Sequence, residues 1–168
     1  NPNTEINAID DKVDHNLRYF NQNSPDLIYD CVDSFAARAY INYFAVRNNI
    51  PLVSGGTNPR SGQVVAYQPE YSACLDCKLG VETALAKELK AASCKFAPDP
   101  SVIMTNQVIG NMMVGEGNKI LNGEKAVNRI LKYDSQVATR GGLIGASEAC
   151  NCKKPGMRRW LSSVRKLA

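Results

Sequence analysis

"DLIYDCVDSFAARAYINYF", residues 26–44, is the stretch of sequence that decides the fold. Its early part, residues 27–32, is a short apolar run typical of a strand that is buried on both faces of a parallel sheet. Residues 34–49 then place apolar side chains at helical spacing and predict an amphipathic helix. The helix residues available for burial are Phe35, Ala39, Ile41, Phe44 and Val46. One carboxylate, Asp33, stands between the strand and the helix.

The flanking residues extend this strand–helix pattern in both directions. Residues 4–10 predict a strand, residues 14–22 a short helix and residues 50–54 a third strand. The order β-α-β-α-β with short links indicates an α/β fold with a parallel, doubly wound sheet.

The pattern changes after residue 54. A turn-rich start and a strand occupy residues 55–69, and helices are predicted at residues 79–93 and 99–121. Residues 127–135 alternate in polarity like an antiparallel strand. We therefore expect parallel strands that continue into antiparallel strands.

Composition narrows the class of protein. The 168 residues fit one domain, and 44% hydrophobic with 21% charged residues is ordinary for a globular protein. No window predicts a membrane span. The net charge of +4 arises from residues 153–168, which carry six basic and no acidic side chains, so nucleic acid is an unlikely partner for the rest. This tail predicts a basic amphipathic helix, either docked by its apolar side or bound to a membrane or an acidic partner.

Asp33 has two readings from the residues alone. Ligands of open parallel sheets bind beyond the carboxyl ends of the strands, where a carboxylate can hold Mg²⁺ on a nucleotide. An aspartate before a helix can equally cap the helix. The sequence leaves both roles open.

The six cysteines form close pairs and singles, a pattern that suits a reducing compartment, here taken as the cytoplasm, better than a disulfide scaffold. Cys74-x-x-Cys77 and Cys150-x-Cys152 together offer four thiolates, enough for a closed tetrahedral Zn²⁺ site of structural type. The alternative is four unligated thiols.

Residues 26–77 resemble the ubiquitin-activating-enzyme-like adenylyltransferases, the ThiF, MoeB and HesA family. The resemblance begins with the strand-end motif of that family, which is followed by an Arg and, four residues later, an Asn. It continues through further short motifs and a long helix to a closing cysteine pair, over nearly the whole chain. The matching positions are Asp30-Cys31-Val32-Asp33, Arg38, Asn42, Ile50-Pro51-Leu52, Gly55-Gly56, Ser61-Gly62, Cys74-x-x-Cys77, residues 101–116, 131–135 and 149–152.

The resemblance implies an activity and assigns roles. Members of the family use ATP with Mg²⁺ to adenylate the C-terminal glycine carboxylate of a ubiquitin-like or sulfur-carrier protein, releasing pyrophosphate. Asp33 would hold Mg²⁺ and orient the phosphates, with Arg38 and Asn42 as further nucleotide-binding residues on the same helix. Family members usually pair as dimers, so a dimer is expected. The family separates its second cysteine pair by two residues, whereas one residue, Asn151, separates it here.

Two further cysteines receive opposite interpretations. In some members a cysteine in the loop between the two later helices forms a thioester with the activated carrier, and Cys94 occupies that loop here. Lys90 and Lys95 beside it would favour a thiolate nucleophile, although an ordinary loop cysteine is the alternative. Cys31 lies inside the apolar strand and is predicted to be inert core.

The glycine-rich phosphate loop of the family is not present in these residues. Gly55-Gly56 follows a strand but precedes no predicted helix that could offer N–H groups to a phosphate. We therefore expect residues 1–152 to form the C-terminal half of an adenylation domain, with residues 153–168 as a basic tail. The N-terminal half, or a partner subunit, would complete the pocket, and the chain alone would be inactive and bind ATP weakly.

Three functions compete. The first is half of an activating enzyme for a ubiquitin-like or sulfur-carrier protein. The second is a non-catalytic, zinc-stabilised module that docks a partner subunit or carrier. The third keeps adenylation but takes a peptide or a modified nucleoside as substrate.

Overall fold

The computed structural model describes residues 2–13, 24–91, 102–137 and 144–145. These residues contain five strands and four helices. The strands are β1 (Ile28–Asp30), β2 (Leu52–Thr57), β3 (Ser61–Tyr67), β4 (Arg129–Asp134) and β5 (Ile144–Gly145). The helices are α1 (Phe35–Asn48), α2 (Leu75–Leu79), α3 (Val81–Ala91) and α4 (Ile103–Leu121).

The strands form one mixed sheet in the order β1-β2-β3-β4-β5. β1 runs parallel to β2, with Ile28 opposite Leu52 and Asp30 opposite Ser54. The pairs β2–β3, β3–β4 and β4–β5 are antiparallel. The predicted change from parallel to antiparallel strands is therefore confirmed.

Alternation along the strands divides the core between two faces of the sheet. Leu52, Val65 and Tyr67 pack in one cluster with residues of α1, α2 and α3, and this side is called the first face. Val53, Val64 and Ala66 pack in a second cluster with α4, on the second face. The result is three layers, with the sheet in the middle, as a doubly wound fold requires.

Helix α1 begins and ends as its sequence dictates. Ser34 is the N-cap, and its hydroxyl accepts a hydrogen bond from the backbone N–H of Ala37 at 3.4 Å. Asn49 ends the helix in the left-handed conformation (φ 55°), with its N–H bonded to the carbonyl of Ala45. Four of the five predicted apolar positions are buried, whereas Phe35 is exposed.

Two glycines allow α4 to approach the second face closely. A Cβ at Gly55 would overlap the Met113 side chain, and one at Gly62 would overlap Ile109. A larger residue at either position would therefore require the Met113 or Ile109 side chain of α4 to move.

Some predicted elements are absent or different. Residues 4–10 form no strand and are exposed, because a local run of residues cannot supply the neighbouring strand that pairing requires. The helix predicted at 79–93 begins at Val81, since Gly80 (φ 62°) separates it from α2, which the sequence analysis missed. The helix predicted at 99–121 begins at Ile103 within the described residues. The predicted helix at 14–22 and the tail at 153–168 lie outside these residues.

Among the described helices, none combines the length and the apolar character needed to cross a membrane.

Candidate functional site at the carboxyl edge of β1 and β2

A buried carboxylate organises the end of β1. Asp30 has no solvent exposure, and its Oδ2 accepts hydrogen bonds from Arg38 Nε at 2.9 Å and Ser54 Oγ at 2.7 Å. Its Oδ1 accepts from the Val32 backbone N–H at 3.1 Å, which turns the chain out of the strand. Asp30 thus joins β1, β2 and α1. The sequence analysis gave this residue no role, although its position two residues after buried Ile28 places it on the same face.

Arg38 donates three hydrogen bonds that hold β1, β2 and α1 together. Besides Asp30, its Nη2 donates to the carbonyls of Val32 at 2.6 Å and Gly55 at 2.8 Å. The residue is only 8% exposed. Its remaining nitrogen, Nη1, makes no hydrogen bond within the described chain and lies 3.5 Å from where a Cβ at Gly56 would stand. Arg38 therefore closes a buried ion pair and keeps one free donor toward β2.

Asp33 occupies a contrasting position, exposed on the segment between β1 and α1. Because Ser34 caps α1, the alternative in which Asp33 caps the helix is wrong. No hydrogen bond or ion pair engages its carboxylate in the described residues. The segment that carries it is held at both ends, by the Asp30 network and by the Ser34 cap. This leaves a solvent-facing carboxylate, anchored in place, beyond the carboxyl ends of two parallel strands.

Asn42, also predicted to contact nucleotide, lies near the middle of α1. It is 4% exposed, and its Oδ1 accepts a hydrogen bond from the Leu75 backbone N–H at 3.0 Å. Leu75 is the first residue of α2, so this amide anchors α2 to α1.

Half of the predicted zinc set is described. Cys74 is the N-cap of α2 and fully buried, while Cys77 lies one turn on and is half-buried. Neither is in a disulfide. Across the ranges given above for the structure, no group of three or more His, Cys, Asp or Glu side chains could hold a metal. Cys150, Cys152 and Cys94 lie outside those ranges.

The prediction that Cys31 lies in the buried core is wrong. β1 ends at Asp30, and the turn held by the Asp30 carboxylate brings the next residue, Cys31, to an exposed position. Partial burial of the thiol and, secondarily, the negative charge of Asp30 raise its pKa, against a smaller opposite effect of Arg38. The thiol is therefore protonated at neutral pH.

These features define an α/β sheet whose carboxyl edge presents an anchored carboxylate, the class of site that nucleotide-binding domains use. A sequence model of the ThiF family matches residues 1–154. The chain belongs to the ThiF family.

Individual relatives agree with this assignment. The adenylyltransferase and sulfurtransferase UBA4 of Meyerozyma guilliermondii is 44% identical over 52 residues, which are 31% of this chain and 12% of that protein. The crystal structure of E. coli MccB with ATP superposes with a TM-score of 0.64 at 17% identity, over 85% of this chain and 44% of MccB. MccB with AMPCPP and selenomethionine MccA gives 0.57 at 19% identity, over 75% and 39%.

The likeness to MccB confirms the fold. The chain spans less than half the length of these solved structures.

Proposed function

We propose that this chain forms part of an ATP-dependent adenylyltransferase that activates the C-terminal carboxylate of a peptide or carrier protein. The observation that carries the proposal is the exposed, rigidly flanked Asp33 at the carboxyl edge of β1 and β2. UBA4 is named as an adenylyltransferase, and MccB has been solved with ATP and with MccA. These names support both ATP and a peptide-like substrate.

The residues at the edge fit a magnesium nucleotide. Mg²⁺ prefers a few hard oxygen ligands and keeps several waters, so one exposed carboxylate beside the phosphates suffices. When bound, the ion would neutralise charge as the substrate carboxylate approaches the α-phosphorus and pyrophosphate leaves. Asp33 would hold and orient the metal–phosphate unit.

Arg38 would contribute a hydrogen bond rather than a net positive charge. The Asp30 carboxylate, 2.9 Å from Nε, balances its charge, and Nη2 is already occupied by two carbonyls. Nη1 remains to donate to a phosphate or carboxylate oxygen. Such a preorganised donor stabilises charge that develops in a transition state. The amide of Asn42 serves the α1–α2 contact, so we assign it an indirect role in nucleotide binding.

The rest of the nucleotide pocket would come from other polypeptide, either an N-terminal half of the domain or a partner subunit. The family's glycine-rich phosphate loop does not occur in the 168 residues. We expect the chain by itself to bind ATP weakly. Micromolar ATP binding by this chain that depends on Asp33 would contradict the expectation.

ATP–pyrophosphate exchange by the complete enzyme tests the function. Asp33→Ala should lower exchange on the order of 100-fold or more, the scale on which electrostatic groups act in such sites. Asp26→Ala is the matched control, because Asp26 is an exposed carboxylate at the amino end of the same strand. Equal exchange by wild type and Asp33→Ala would refute the assignment. Binding of a carrier without exchange would favour the non-catalytic module.

We also propose a structural zinc site formed by Cys74, Cys77, Cys150 and Cys152. Support comes from the described pair, since Cys74 and Cys77 are three residues apart on one helical turn and neither is in a disulfide bond. The purified protein should contain one equivalent of zinc. Cys77→Ser should lose it, and Cys31→Ser should keep it, because Cys31 is outside the set.

The proposed dimer has support from the outer face of α4. Ile103, Met104, Val114 and Leu121 are each at least half exposed on this helix, an apolar surface typical of an interface. Thioester formation at Cys94 and a cytoplasmic location remain predictions from the sequence.

A further inference from the structure

One row of the first face lies open near the carboxyl end of β2. The strand registers place Gly56 opposite Gln63, and Gln63 opposite Lys132. All three face the side of α1, one row beyond the buried Ser54 and Val65 row. Gly56 and Gln63 are partly exposed and Lys132 is exposed. This open row is defined by Gly56, Gln63 and Lys132.

The polar groups of the open row are uncommitted. Lys132 and the Gln63 amide form no side-chain hydrogen bond or ion pair in the part of the chain that the structure describes. Arg38 Nη1, on a side chain that is 8% exposed, is directed over Gly56. A buried guanidinium with a free donor aimed at an open surface points to a ligand oxygen there.

We propose that the open row positions the C-terminal segment of the substrate and that Lys132 determines specificity for an acidic side chain in it. The inference rests on the proposed adenylation. Gly56 is on β2, next to β1, so the substrate terminus would lie at the Gly56 end of the row, toward Asp33. The absence of a side chain at Gly56 lets the substrate backbone come close to Arg38 Nη1.

The spacing of strands sets which substrate residue meets Lys132. Neighbouring strands are about 4.8 Å apart, so the two steps from Gly56 to Lys132 span about 10 Å. An extended peptide covers that distance in about three residues. Lys132 should therefore contact the fourth residue from the C-terminus. The nearby carboxylate of Asp134, one row further along β4, accepts from the Gln136 backbone N–H and limits the positive region to Lys132.

Synthetic peptides test the inference with the complete enzyme. The probes are Ac-Ala-Ala-X-Ala-Gly-Gly with X as Asp, Ala or Lys, tested for pyrophosphate exchange and, with a fluorescent label, for binding by anisotropy. The Asp peptide should have a KM and Kd about threefold to fivefold below those of the Ala peptide, the scale of an exposed ion pair. Lys132→Glu should reverse the preference toward the Lys peptide. Lys87→Ala, an exposed lysine of α3, is the control.

The outcomes separate the two proposals. If neither exchange nor binding depends on residue X of the peptide, in wild type and in Lys132→Glu, the role of Lys132 is overturned and the proposed adenylation is unaffected. If Lys132→Glu changes the KM for ATP and leaves the KM for the peptides unaltered, the open row binds phosphate, and this result would also overturn the inference. If wild type and variants bind the peptides in a charge-dependent way but none catalyses pyrophosphate exchange, the role of the open row is supported and the proposed adenylation is refuted.

Discussion

Asp30 and Asp33 lie three residues apart in the same motif and have opposite environments. Asp30 is fully buried and accepts three hydrogen bonds, from Val32, Arg38 and Ser54. Asp33 is exposed, and the described residues leave its carboxylate without a hydrogen bond. The difference shows how one short segment can contain both a structural carboxylate and a solvent-facing one that is open to a ligand. Burial with a cation fixes the first, which in turn anchors the segment that presents the second.

The largest expected effect follows from removing the buried member. Asp30→Ala would leave the guanidinium of Arg38 buried without its counter-charge, which typically costs about 3–5 kcal/mol. Urea unfolding should show this loss, whereas Asp33→Ala should change the free energy of unfolding by less than about 0.5 kcal/mol. Similar losses for both variants would mean that the two carboxylates do not differ as described.

A double-mutant cycle measures the coupling between Asp30 and Arg38. Asp30→Ala with Arg38→Ala should cost less than the sum of the single changes, because the second change removes the uncompensated charge. Additive losses would indicate that the pair is not coupled.

The next largest effect tests whether Ser34 or Asp33 caps α1. Ser34→Ala should lower the free energy of unfolding by about 1 kcal/mol, because the backbone N–H of Ala37 loses its partner. Ser34→Asp should retain most of the stability, since aspartate is also a good N-cap. If Asp33→Ala rather than Ser34→Ala destabilised the protein, the cap would be misassigned and Asp33 would no longer be free for a ligand.

The sequence was informative where one pattern dictated one structure. The apolar run before Asp33 and the helical spacing after it predicted β1 and α1, and the alternation at 127–135 predicted β4. The failed prediction of a strand near the start of the chain has a physical cause. Residues 4–10 were predicted as a strand, but a strand exists only when a neighbour pairs with it, and that information is not local.

Some residues of the candidate site could be predicted from the sequence and others could not. Asp33 could be found because it follows a strand and precedes a helix. The role of Asp30 could not, because its hydrogen bond with Ser54 joins residues 24 positions apart. Arg38 was found as part of a motif, but the sequence could not show that three of its hydrogen bonds serve the fold and that Nη1 makes none within the described residues.

The smallest expected effect concerns Cys31, between the two carboxylates. Because burial and the Asp30 charge raise the pKa of this thiol, less thiolate is present at neutral pH than in an unfolded chain. Alkylation by iodoacetamide, followed by mass spectrometry, should be slower for Cys31 than for a synthetic peptide of residues 28–34 near pH 7, and the difference should shrink as pH rises above the pKa of the folded thiol. Faster alkylation in the protein would contradict this.

The protonated state of Cys31 matters for the proposed chemistry. A thiolate beside Asp33 could attack an acyl-adenylate and divert the activated carboxylate, since the thiolate and not the thiol is the nucleophile. The raised pKa leaves less of this exposed sulfur as thiolate near neutral pH than in an unfolded chain. Burial of the thiol is the larger cause of this pKa shift, and the Asp30 carboxylate, which also anchors the segment that presents Asp33, adds to it.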